Sequence, residues 1–190
     1  MDTKEDLQMK SYNKWDLRVQ KTYKLLHTSL ITLLEKQSFD EITVQSICDE
    51  AMVHRTTFYA HFEDKYHLLS SCLDYIIEHE EVFKDTKLSP RKCLVELIKI
   101  VDKYRDAFSQ VISNKKASIK NILKKNMSEG IKQHIHESGL IYDSTHIDII
   151  IAAYVASVLS ILESYVAEDV EINEKDLDNI LNTLSRMFAS

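Results

Sequence analysis

Val19, Tyr23, Leu26, Leu30 and Leu33 recur at alternating steps of four and three residues, which lines them along one face of a helix from about Asp16 to Lys36. Ser38 and Phe39 end that periodicity. Thr43 stands before Val44-Gln45-Ser46-Ile47, where its hydroxyl can accept an orphan backbone N–H and start a short second helix ending near Ala51. A third short helix is expected from Arg55 to His61, and a longer fourth from Lys65 to about Phe83, striped by Leu68, Leu69, Leu73, Ile76 and Ile77. Ser89 followed by Pro90 reads as a cap and first position of a further helix, with Leu94, Leu97, Ile98, Val101 and Phe108 on its buried face. Another carries Ile119, Ile122, Leu123, Met127, Ile131 and Ile135, with Gly139 placed to end it in a left-handed cap. An apolar helix follows from about Thr145 to Ala167. A last one runs from Glu174 to Phe188, capped by Asn173 and striped by Leu177, Ile180, Leu181 and Leu184.

Composition narrows the class to all-α. Two glycines and one proline in 190 residues leave almost no turn chemistry for hairpins, and 44% hydrophobic residues suffice for a substantial core. The apolar helix holds no charge between Asp148 and Glu163. That stretch of 14 residues is short of the roughly 20 a membrane span needs, so it reads as a core or interface helix. Cys48, Cys72 and Cys93 are odd in number and show no C-x-x-C pairing, which points to reduced thiols rather than a disulfide framework. Met1 to Lys14 lacks the basic-then-apolar pattern of a signal peptide, and a cytoplasmic location is expected.

A net charge of −6 excludes a surface coated in nucleic-acid contacts. Local placement is another matter, because Lys10, Lys14, Arg18, Lys21 and Lys24 gather in the N-terminal arm and first helix. From Thr43 to Leu69 the chain packs a short helix, a tight turn and a second short helix before a longer one, which is helix-turn-helix spacing. Ile47, Ala51, Val53, Phe58 and Phe62 supply the apolar positions that cross two short helices over the first. Between them Arg55, Thr56, Thr57, Tyr59 and His61 stay polar and outward. Arginine can bond a guanine edge bidentately, and threonine can bond a base edge or touch a thymine methyl.

The segments E-K-x-x-F-D-E-I-T-V and I-C-D-E-A-x-V-x-R-T-T-F-Y-A-H-F-x-x-K-x-x-L-L resemble the TetR/AcrR-like family of bacterial transcriptional regulators, over roughly Val19 to Leu69. That resemblance implies that Thr43 anchors the second helix near a phosphate. It further implies that Arg55, Thr56 and Thr57 face base edges, that Tyr59 and His61 grip the backbone, and that Lys65 adds a phosphate contact. His54, at the start of the third helix, is counted with these DNA-facing residues. Two positions depart from the family pattern: Met52 stands where the turn usually has Gly, and His54 where Ser or Thr usually caps. Met52 must then either take an uncommon backbone conformation or bend the turn differently.

The architecture expected is an N-terminal three-helix helix-turn-helix domain at residues 1–67 and a C-terminal helical bundle at 68–190, dimeric through a four-helix interface. Ile150, Tyr154, Ser157 and Ile161 on the apolar helix, with Leu177, Leu181 and Leu184 on the last, are the expected interface. Tyr75, Phe83, Tyr104, Phe108, Met127 and Tyr154 are candidates to line a pocket for a small apolar effector. The function expected is a repressor, not an enzyme, that binds double-stranded DNA as a homodimer at a pseudo-palindromic operator. The alternative is a helical adaptor acting through a protein partner with reduced DNA binding. No cofactor, metal or membrane is expected. His79-Glu80-Glu81 lacks a second His four residues on. His134 and His136, two apart on a helix, point to different faces, and glycines only at 130 and 139 cannot form a phosphate-cradling loop.

Overall fold

A computed structural model describes residues 17–80, 90–137, 146–167, 176 and 179. The described residues form eight helices and no strand: α1 Leu17–Leu34, α2 Val44–Ala51, α3 Arg55–Tyr59, α4 Lys65–His79, α5 Pro90–Lys103, α6 Arg105–Ile112, α7 Ala117–Glu137 and α8 Ile147–Ala167. The all-α class read from the glycine- and proline-poor sequence is the class observed. Of the helix expected from Glu174 to Phe188 only Asp176 and Asn179 are described, both helical; the far end of the fourth helix at Phe83 and the Gly139 cap lie outside the described residues.

The structure corrects the sequence reading in two helices. Where one helix was expected to carry both Leu94 and Phe108, the chain breaks at Tyr104, whose φ of −120° and ψ of 38° separate α5 from α6. Neither proline nor glycine marks the break. Its cause is tertiary: the Tyr104 hydroxyl donates to Glu80 Oε1 at 3.1 Å, and α6 turns so that Ala107, Val111 and Ile112 are buried and α6 packs against both α1 and α8. The second correction concerns the apolar helix. α8 extends past its charge-free stretch to 21 residues, long and apolar enough by length and composition alone to cross a membrane. One face, with Ile151, Val155, Val158, Leu159, Leu162 and Tyr165, is nevertheless buried within the protein. Asp148 and Glu163 near its ends pair with Lys132 and Lys120 of α7, at 2.6 and 2.8 Å.

The core runs without interruption through both halves. α1 packs against α2, α4 and α6; α4 packs against α7; and α7 and α6 pack against α8. Leu26 and Leu30 of α1, Leu68 of α4 and Ile119 of α7 are completely buried, each such side chain stabilising the fold by roughly 1.5–3 kcal/mol relative to exposure. Polar groups set the register of the seams. Asn126 of α7, buried, donates its amide to the Ser70 carbonyl at 2.9 Å and to Asp74 Oδ1 at 2.6 Å, and accepts from the Ser70 hydroxyl at 3.0 Å, which ties α7 to α4 at one level. Glu80, just past the end of α4, accepts from Lys103 at 2.5 Å as well as from Tyr104.

The seam between α1 and α4 holds a buried histidine. His27 is 3% exposed. Its Nε2 lies 3.0 Å from the Ser71 hydroxyl, its ring packs against Tyr23, Phe62 and Tyr75, and its Nδ1 has no hydrogen-bond partner among the described residues. Burial pushes its pKa down to about 4 from an ordinary 6.5, because an imidazolium there would be a charge out of water with no anion beside it. The folded-state value is depressed, so the unfolded chain takes up the proton first as pH falls. The stability contributed by neutral His27 is full above about pH 6.5 and is lost progressively between there and about pH 4. Urea unfolding at a series of pH values should show a loss of roughly 3 kcal/mol over that window that is absent from His27→Gln; parallel curves for the two proteins would refute the assignment.

Candidate nucleic-acid interface

The first short helix, α2, begins with a reciprocal cap. Thr43, extended at φ −112° and ψ 158°, accepts the Ser46 backbone N–H on its hydroxyl at 3.0 Å, and Ser46 Oγ accepts the Thr43 N–H at 3.0 Å. Two orphan donors are satisfied by two short side chains, with Ser46 doing what Glu or Gln usually does in such a box. α2 then buries Ile47, Cys48 and Ala51 and contacts both α1 and α3.

The turn after α2 is made without glycine. Met52 adopts the left-handed conformation, φ 53° and ψ 41°, the only positive φ at a non-glycine residue among those described. Its N–H bonds the Asp49 carbonyl at 3.2 Å, and the next N–H, of Val53, reaches back to Cys48 at 3.0 Å, closing the helix end. Of the two outcomes open from the sequence, the uncommon backbone conformation is the one realised. The Met52 side chain is 90% exposed and so returns little packing for the strain.

α3 follows at once. His54 is extended and its carbonyl accepts from Thr57 and Phe58 at 2.9 and 3.1 Å, but its side chain makes no cap hydrogen bond. Phe58, with no exposed surface, anchors the helix, and Phe62 packs on Tyr23 of α1 with ring centres 4.8 Å apart. With Phe58 turned inward, His54, Arg55, Thr56 and Tyr59 are solvent-exposed while Thr57 and His61 are half-buried. Arg55 lies along the helix, donating to the Tyr59 hydroxyl at 3.2 Å with its guanidinium 5.7 Å from that ring. His61 rests edge-on against Tyr23 at 5.3 Å. Arg18, Lys21 and Lys24 of α1 are exposed.

Lys65 is the residue expected to add a phosphate contact at the start of α4. Its ammonium turns inward to the carbonyls of Phe39, Asp40 and Ile42, at 2.8, 3.2 and 2.6 Å. The start of α4 is capped by a residue the sequence reading passed over: Asp64 Oδ1 accepts the N–H groups of Tyr66 and His67, both at 2.8 Å. An Asp directly before the first helical residue was the available signal.

The other candidate residues are scattered. An apolar cavity of about 40 Å³ lies among α4 to α8; Phe108 and Met127 line it, whereas Tyr75, Tyr104 and Tyr154 do not. Tyr75 stacks on His79, Tyr104 is bound to Glu80, and Tyr154 shares a hydrogen bond with buried Cys93, whose pKa burial pushes up to about 11. Phe83 lies outside the described residues. On α8, Ile150 is 60% exposed, Ser157 is exposed, and Tyr154 and Ile161 are half-buried; Leu177, Leu181 and Leu184 lie outside the described residues. His134 is buried and His136 exposed, so the two rings face apart.

The turn yields a direct test. Met52→Gly removes the left-handed strain and should stabilise the protein by about 1 kcal/mol, or roughly 2–4 °C in melting temperature, whereas Met52→Ala, which keeps a Cβ, should change little. His54→Ser supplies the missing cap and should add about 1 kcal/mol. Equal melting temperatures for the Gly and Ala variants would show that the turn is not strained.

The helix-turn-helix geometry has known counterparts. The family described as bacterial regulatory proteins, tetR family, matches residues 30–72. Solved structures of the same fold include a TetR transcriptional regulator from Streptococcus agalactiae 2603V, 22% identical with a TM-score of 0.62 over 89% of this chain and 96% of that one. The dihydroxyacetone kinase operon activator DhaS is 16% identical with a TM-score of 0.57, over 87% of this chain and 95% of that one. A tetR-family transcriptional regulator from Streptomyces coelicolor is 14% identical with a TM-score of 0.55, over 85% and 77%. No curated protein matches the chain in sequence. Residues 30–72 thus resemble the tetR family of bacterial regulatory proteins, and the chain as a whole shares the all-helical fold of a solved TetR regulator.

Proposed function

We propose that the chain is a sequence-specific DNA-binding transcriptional regulator, without enzymatic activity, that acts as a homodimer on a pseudo-palindromic operator. The observation that carries this reading is α3. It is a one-turn helix held by fully buried Phe58, with His54, Arg55, Thr56 and Tyr59 left exposed at and after its N-terminal end, the end that recognition helices present to base edges. The Arg55–Tyr59 contact is solvent-exposed, so little holds the guanidinium back from a groove. Exposed Arg18, Lys21 and Lys24 supply positive charge along α1 in a chain that is otherwise acidic. Thr43 holds the N-terminus of α2, whose free N–H groups suit a phosphate. Three buried, unpaired cysteines agree with a cytoplasmic setting.

One recognition helix reads too few bases to be selective alone, which is the argument for a two-fold dimer. The outer face of α8, with exposed Ile149 and Ile150 and half-buried Tyr154 and Ile161, supports it as part of the interface. Repression by occupying the operator is the simplest mode for such a dimer. A small apolar effector that releases DNA would need α4 to α8 to part, because about 40 Å³ admits roughly two or three water molecules and ligand sites run to roughly 300 Å³ or more.

Selection of bound sequences from a random DNA pool should return a palindrome. Arg55→Ala should weaken binding to it by about 1–3 kcal/mol while leaving random DNA nearly unaffected; equal losses on both would show that Arg55 reads no base. Failure to select any sequence would favour an adaptor that acts through a protein partner. In sedimentation the native chain should be a dimer at micromolar concentration and Ile161→Asp a monomer, since unpaired carboxylates at a two-fold contact cost several kcal/mol. A dimer unchanged by Ile161→Asp would move the interface off α8.

A further inference from the structure

The loop between α1 and α2 carries a concentration of polar contacts that DNA binding as described above does not use. The carbonyls of Phe39, Asp40 and Ile42 converge on one point, and Lys65 Nζ occupies it, at 2.8, 3.2 and 2.6 Å. An ammonium has three N–H donors and no acceptor, so three carbonyls exhaust it. The same nitrogen lies 4.7 Å from the centre of the Phe39 ring and 5.9 Å from that of Tyr66, which encloses the charge in aromatic and carbonyl surface. A phosphate oxygen could be reached only by giving up one of these bonds.

We propose that Lys65 is a positioning residue for the helix-turn-helix: it gathers the loop carbonyls and so sets where α2 begins, and it does not neutralise a phosphate. The 2.6 Å bond is to Ile42, fully buried and immediately before Thr43, the residue whose capping box starts α2. Fixing the Ile42 carbonyl therefore fixes the approach of the chain to its cap. Partial burial holds the Lys65 pKa below the ordinary lysine value, against the opposing pull of the nearby Asp40 carboxylate. The loop is held from its other side too: Lys116, one residue before α7, pairs with the Asp40 carboxylate at 2.8 Å. Lys65 from α4 and Lys116 from the C-terminal half thus clasp the same short segment, one by its backbone and one by its side chain.

The inference deepens the DNA-binding reading, but its first test needs no DNA. Lys65→Met keeps much of the stem and removes the donors. It should lower the melting temperature of the free protein by roughly 5 °C and speed amide exchange over residues 41–47, where exchange reports local opening. On DNA, the slope of log affinity against log salt should stay as in the native chain, because no phosphate contact has been lost. A fall in that slope of about 0.9, the value for one phosphate contact, would overturn the proposal, and so would an unchanged melting temperature. If Lys65→Met does not fold, Lys65→Arg separates the roles. A guanidinium serves a phosphate at least as well but cannot aim its planar fork at three converging carbonyls. Lys65→Arg should therefore be destabilised; native stability in that variant refutes the proposal. Absence of DNA binding by the native chain would count against the function proposed above and leave the stability and exchange results to decide the role of Lys65.

Discussion

The two halves of this fold meet on α1. The helix buries Leu26, Leu30, Leu33 and Leu34, and it meets α2, α4 and α6 at once, so the helix-turn-helix and the C-terminal bundle share one apolar surface instead of each closing its own. A helix can do this only if its apolar stripe is wide. In α1 the stripe is widened by Tyr23, His27 and Ser29: Tyr23 and His27 pack ring to ring, His27 reaches the Ser71 hydroxyl, and Ser29 is buried. Phe62 then lies against Tyr23 and His27 and Phe58 against Phe62, so α3 is held on α1 by a chain of rings.

The seams of α4 are marked by polar groups in otherwise apolar surroundings. Ser71 meets His27, Ser70 and Asp74 meet Asn126, and Glu80 meets Tyr104 and Lys103. Apolar contact alone is non-directional and would tolerate helices sliding by a turn, whereas a buried amide left unpaired costs about 1–3 kcal/mol. These pairs therefore set the height of α4 against α1, α5 and α7. Because α4 begins with Lys65 in the loop beside α2 and ends against Tyr104, its register is felt at both ends of the molecule.

The helix-turn-helix itself is assembled from local devices, some at a disadvantage. The Thr43–Ser46 box and the Asp64 cap are efficient, each satisfying two backbone donors. Met52 and His54 are not: one holds a left-handed backbone without glycine and the other starts a helix without a side-chain cap. The turn holds its shape because Phe58 and Ala51 are buried on either side of it and the Val53 N–H reaches back to Cys48. Tertiary burial overrides the local preference.

What the sequence by itself determined was most of what is governed by short range. The all-α class followed from scarce glycine and proline, the helix faces from their 3.6-residue period, the Thr43 cap from a hydroxyl next to an apolar run, and the helix-turn-helix from its spacing. What only the tertiary structure decided was where side chains reach across the chain. The family resemblance gave Lys65 a phosphate to contact, whereas in the fold its ammonium is directed by carbonyls 23 to 26 residues upstream. The break at Tyr104 has no residue that forces it and exists because Glu80 and the flank of α1 are there to be met. Tyr75, Tyr104 and Tyr154 looked like pocket walls on helical faces, and each instead found a neighbour from another element or turn, leaving a cavity lined by Phe108 and Met127 among aliphatic side chains. Periodicity tells which face of a helix is buried, but not what it is buried against, and for polar groups the partner determines the role.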